Sequence, residues 1–119
     1  MIDTPQFEKR REAARVVMRV PVEVRGTLQD GILLEESTYT GVVGVLGAMV
    51  WMSLKLQVGT EVELTNRFSQ QTAKFRVAWV KDPRDREELW ETGVESLQPL
   101  DDFWGVRFPP KPKSPLDNT

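Results

Sequence analysis

The feature that most constrains the fold is an alternation of apolar and other residues near the start of the chain. Between residues 16 and 24 every second side chain is apolar, and these positions are Val16, Met18, Val20, Val22 and Val24. A period of two is typical of a β-strand with one buried face. Pro21 falls within this segment, and because proline cannot donate a backbone hydrogen bond, it predicts an edge position or a bulge.

Five further segments have strand character and are separated by turn signals. They cover residues 32–40, 48–52, 61–65, 72–80 and 89–97. Six short strands at regular spacing favour an all-β fold, either an antiparallel barrel or a sandwich. A short helix is predicted over residues 99–104, after the last strand.

The same alternation predicts which way the aromatic residues point. In the segment 72–80, Trp79 falls in register with the apolar residues Ala73, Phe75 and Val77. We therefore expect Trp79 to fill the core rather than to stack on a ligand, since aromatic side chains supply much of the burial in a small barrel.

Composition restricts the function. The 119 residues include no cysteine and no histidine, which excludes thiol chemistry, zinc sites of the Cys/His type and the usual general base near neutral pH. We expect one domain that is not an enzyme. Residues 1–8 lack the apolar core of a signal peptide, and no apolar run is long enough to cross a membrane, so we expect a cytoplasmic location and no membrane span.

Charge is distributed unevenly along the chain. Residues 9–25 contain six basic and two acidic residues, whereas residues 82–102 contain eight acidic residues and two arginines. The net charge of −2 argues against binding to a DNA or RNA polymer. A small anion would favour the N-terminal end, although two solvated surfaces of opposite sign would have the same composition.

Arg11 and Arg15 are the candidate ligand-binding residues in the basic segment. A guanidinium is a planar fork of donors that suits phosphate oxygens and the edge of guanine, and its face can stack on a purine. The pair Arg15 and Arg19 has the same spacing, and a chain of this composition produces such pairs by chance about as often. Sequence context therefore decides between them.

That context comprises an Arg-xxx-Arg segment at 10–16, a first strand at 20–24, a glycine-containing section at 56–64, a strand at 75–80 and a late strand at 93–97. The order of these segments resembles the PilZ domain family. The resemblance covers residues 9–108, preceded by a lead-in at 1–8 and followed by a Pro-rich tail at 109–119 that we expect to be disordered.

The resemblance implies a six-stranded antiparallel β-barrel and a bacterial receptor for cyclic di-GMP. In that family the two arginines hold phosphates and guanine edges, and Arg11 and Arg15 match these positions. Arg10 is a plausible auxiliary contact. Arg19 fits less well because it lies inside the strand, whereas the family has its arginines in the lead-in.

The second motif of the family, Asp/Asn-x-Ser-x-x-Gly, is incomplete. The matching hexapeptide runs from Val42 to Gly47, with valine in place of the Asp or Asn and Gly44 in place of the serine. Gly47 is retained, and backbone N–H groups around Gly44 and Gly47 could form an anion nest. The alternative interpretation is a degenerate PilZ-like module that binds a protein partner instead of cyclic di-GMP.

Overall fold

The computed structural model describes residues 15–83, 88–100 and 102–106. These residues form strands and turns and contain no helix. The strands are β1 (Arg15–Val17), β2 (Pro21–Thr27), β3 (Leu33–Gly44), β4 (Gly47–Met52), β5 (Glu61–Asn66), β6 (Thr72–Lys81) and β7 (Trp90–Ser96). The lead-in at 1–8 and the tail at 109–119 lie outside the described residues.

The strands form one closed antiparallel sheet. Neighbours follow the order β3-β2-β5-β6-β7-β4, and pairing of β4 with β3 closes the ring. β1 pairs with the far end of β3, beyond β2, so β1 and β2 are two parts of one interrupted strand. The predicted six-stranded antiparallel barrel is therefore confirmed.

The interruption at residues 18–20 corrects the prediction of a continuous first strand. Val17 pairs with Val42 whereas Pro21 pairs with Tyr39, so the register changes by one residue. Thr40 bridges the break, because its hydroxyl accepts a hydrogen bond from the backbone N–H of Val20 (2.9 Å) and donates one to the carbonyl oxygen of Met18 (2.7 Å). Pro21 becomes the first residue of β2, a position that tolerates a missing donor.

The core lies inside the barrel and is built by the alternating residues. Its members come from every strand of the ring, and the most completely buried large side chains are Phe75, Met52, Leu56 and Leu64 together with the valines 20, 22, 24, 43, 50 and 77. Full burial of one such side chain contributes about 1.5–3 kcal/mol relative to leaving it in water.

The C-terminal segment closes one end of the barrel with two aromatic side chains. Phe103 and Trp104 are buried, and the Phe103 ring meets Phe75 edge to face with 5.8 Å between ring centroids. The buried amide of Asn66 donates to the carbonyl oxygen of Phe103 at 2.8 Å. This segment packs as part of the barrel core.

The short helix predicted at 99–104 is not seen in the described residues. The backbone N–H of Phe103 donates to Leu100 and that of Gly105 donates to Asp102, both at 3.1 Å and both spanning three residues, as in turns. Gly105 has a φ of 77°, which ends any helical continuation. In the part of the chain that is described, no helix is long and apolar enough to cross a membrane.

Candidate functional site

A groove of about 350 Å³ lies on the outer surface of the barrel, beside the β3–β4 hairpin. Its walls include the three predicted site residues that the structure describes, namely Arg15, Gly44 and Gly47. Residues that sequence reasoning did not select also line it, including Trp79, Glu91 and Glu95. The predicted site residues Arg10 and Arg11 lie outside the described residues.

Arg15 reaches the groove through the pairing of β1 with β3. As the first residue of β1 it lies directly opposite Gly44, and its side chain is exposed. The neighbouring Val16 packs against the core and anchors β1, while Thr40 maintains the break that sets the register of β1. Arg15 of the first motif and Gly44 of the incomplete second motif are thus adjacent on two paired strands.

Gly47 allows the hairpin to approach β7 closely. It begins β4 and pairs with Glu95, and a Cβ atom there would overlap the carbonyl oxygen of Val94. Only glycine permits this separation between the two backbones.

The backbone of Gly44 is held by a hydrogen bond from a side chain in the barrel interior. Its carbonyl oxygen accepts a hydrogen bond of 3.1 Å from the indole N–H of Trp104. Neither Gly44 nor Gly47 has a positive φ, so the hairpin does not adopt the αR–αL form of an anion nest that the sequence suggested. The hairpin therefore lines the groove but does not form an anion nest.

Trp79 lies on the outer face of the barrel, contrary to the core position predicted from alternation. Val77 pairs with Val94 and Trp79 pairs with Gly93, so Ala78 is an extra residue and forms a β-bulge. The bulge reverses the direction of the following side chain, and Trp79 is 39% exposed. No local pattern in the segment 72–80 distinguishes a bulged strand from a regular one, which is why the sequence missed this residue.

The indole of Trp79 packs against the backbone of β7 at Gly93, which we call the seat of Trp79. A Cβ atom on Gly93 would overlap the five-membered ring of the indole, so the ring lies directly against the strand backbone. The ammonium of Lys81 lies 5.9 Å from the centroid of the Trp79 ring. One surface of the indole is therefore supported by β7, and the remaining exposed part faces the groove as a platform on which a planar group can stack.

Two carboxylates flank this platform along β7. Glu91 and Glu95 alternate with the buried Thr92 and Val94, so both face outward with Gly93 between them. Glu91 lies opposite Lys81 on β6, and Glu95 lies opposite Arg76. The groove thus combines the cationic Arg15 with an aromatic surface and two acidic side chains.

A second, larger groove of about 520 Å³ lies elsewhere on the barrel, around β2, β3 and β5. Two ion pairs lie along it, Arg25 with Glu35 at 3.1 Å and Glu61 with Arg76 at 3.6 Å, and Glu63 lies opposite Lys74 in the pairing of β5 with β6. None of its lining residues is aromatic. We regard the groove at Arg15 and Trp79 as the stronger candidate for ligand binding.

Comparison of the chain with models of protein families, with characterised proteins and with solved structures gave no significant match. Among the described residues no three His, Cys, Asp or Glu side chains are grouped to hold a metal ion.

Proposed function

We propose that the protein is a PilZ-type bacterial signalling domain that binds cyclic di-GMP in the groove beside Arg15. It would act as a non-enzymatic receptor or effector in the cytoplasm. The observation that carries the proposal is the convergence of Arg15, the Gly44–Gly47 hairpin and the exposed Trp79 on one groove. Arg11 and Arg15 would hold the phosphates and a guanine edge, with Arg10 assisting.

The groove is chemically suited to such a ligand. Its volume of about 350 Å³ falls within the range of about 300–1,000 Å³ found for small-molecule sites. A guanidinium can form two parallel hydrogen bonds with a phosphate, and an indole can stack on a purine base. Cyclic di-GMP has two phosphates and two guanine bases, so both kinds of contact have a counterpart in one ligand.

Isothermal titration calorimetry tests the proposal. With the full chain at about 100 μM, cyclic di-GMP should give saturable heat even for a dissociation constant in the micromolar range. The double variant Arg11→Gln/Arg15→Gln should lose this heat. As a matched control, Arg25→Gln/Arg67→Gln also removes two cations, neither of which lines the groove, and it should bind like the wild type. No saturable binding by the wild type would contradict the proposal.

A second candidate function is a protein-interaction module. It is favoured by the apolar residues Val17, Val45 and Leu46, which are exposed on β1 and on the tip of the adjacent hairpin, and by the missing Asp/Asn and Ser of the second motif. Tight binding of cyclic di-GMP that depends on Arg11 and Arg15 would argue against it.

A further inference from the structure

The incomplete second motif leaves guanine without an acceptor at its usual position. The Watson–Crick edge of guanine presents the N1–H and N2–H donors, which a carboxylate or an amide oxygen can accept. Val42 and Gly44 replace the polar residues of the motif and have no side-chain acceptor. If cyclic di-GMP binds in the groove, as proposed above, its guanine bases need acceptors from another element.

β7 carries such acceptors on the same wall of the groove. Glu91 and Glu95 each lie two residues from Gly93, the seat of Trp79. Residues two apart on a strand face the same side and are about 7 Å from each other along it. A purine stacked on Trp79 would therefore have its edge near one of these carboxylates.

We propose that the β7 carboxylates Glu91 and Glu95 read the Watson–Crick edge of guanine and thereby take over the role of the lost second-motif side chains. The inference rests on the proposed function and adds the basis of its base specificity. A carboxylate accepts from both N1–H and N2–H of guanine. Adenine has an unprotonated N1 at the corresponding position, which repels a carboxylate, so the groove discriminates against adenine.

Charge repulsion alone predicts a different change in nucleotide affinity when Glu91 and Glu95 are neutralised, and this difference makes the inference testable. Cyclic di-GMP and cyclic di-AMP are both dianions, and two carboxylates in the groove disfavour them equally. Removing the two negative charges should then tighten the binding of both nucleotides to the same extent. A role in reading guanine predicts instead that the two affinities change in opposite directions.

The experiment measures the affinities of cyclic di-GMP and cyclic di-AMP for the wild type and for Glu91→Gln/Glu95→Gln. Glutamine keeps the size of the side chain but can form only one acceptor contact to guanine, and it forms a two-point contact with adenine. We expect the preference of the wild type for cyclic di-GMP to fall by about tenfold or more in the double variant. The control Glu61→Gln/Glu63→Gln removes the same charge at the other groove and should keep the preference.

The outcomes separate this inference from the proposed function. Wild-type binding of cyclic di-GMP with an unchanged preference over cyclic di-AMP in Glu91→Gln/Glu95→Gln overturns the inference and leaves the proposed function intact. Equal tightening of both nucleotides also overturns it, because that assigns the carboxylates an electrostatic effect only. Failure of the wild type to bind cyclic di-GMP overturns both.

Discussion

The indole N–H of Trp104 donates a hydrogen bond to the carbonyl oxygen of Gly44 across 60 residues of sequence. Trp104 is buried beside Phe103 and Phe75 at the closed end of the barrel, whereas Gly44 lines the candidate groove on the outside. The C-terminal segment and the hairpin of the proposed site are therefore connected directly through the barrel wall.

Replacing Trp104 with phenylalanine should destabilise the barrel by about 1–3 kcal/mol, because the Gly44 carbonyl loses its partner while remaining buried. Urea denaturation followed by circular dichroism measures the free energy of unfolding. Trp90→Phe is the matched control: the indole N–H of Trp90 makes no hydrogen bond among the described residues, so this change should cost less. Equal losses in the two variants would show that the Trp104 hydrogen bond contributes nothing beyond packing.

Trp79 should report ligand binding directly. Stacking of a base on its indole should quench the intrinsic fluorescence, and Trp79→Ala should weaken cyclic di-GMP binding by about 1–3 kcal/mol, whereas Trp79→Phe should retain part of the affinity. Titration of the fluorescence in the wild type and in both variants measures the effect. Quenching that persists undiminished in Trp79→Phe would show that another tryptophan responds to the nucleotide.

Gly93→Ala should destabilise the protein by about 1–3 kcal/mol, because the added methyl group overlaps the indole of Trp79 and forces the ring from its seat. In the Trp79→Ala background, adding Gly93→Ala should lower the free energy of unfolding much less than it does in the wild type, because the indole that clashes with the new methyl group is absent. A double-mutant cycle from denaturant unfolding measures the coupling. Strict additivity would mean that the strain at Gly93 comes from the backbone and not from Trp79.

Thr40→Val preserves side-chain shape but removes the hydroxyl that bridges the interruption between β1 and β2. We expect a loss of about 1–3 kcal/mol, because the buried N–H of Val20 is left without its partner. Hydrogen exchange should also show faster exchange at residues 16–18, since the register of β1 depends on this bridge. Thr65→Val is the control, because its hydroxyl bonds only to Thr72 on the exposed surface. Similar stability of the two variants would argue against the bridging role.

Part of the candidate site follows from the sequence. The motif positions predict Arg15, Gly44 and Gly47 as site residues, and all three line one groove. No sequence motif predicts Trp79, Glu91 and Glu95 as site residues, because their position relative to Arg15 depends on which strands pair and in which register. The sequence of a single segment does not predict that β7 pairs with β4 and with β6.

The sequence by itself determined the strands and the inward residues, because alternation of side chains is a local property of an extended backbone. Val22, Val24, Phe75 and Val77 are buried as their spacing indicates. Pro21 predicts an edge position or a bulge, but only the tertiary structure decided that the chain is interrupted before it and that a bulge at Ala78 turns Trp79 outward. The physical reason is that a bulge is a mismatch between two paired strands, so its position is set by the partner strand and the closure of the barrel.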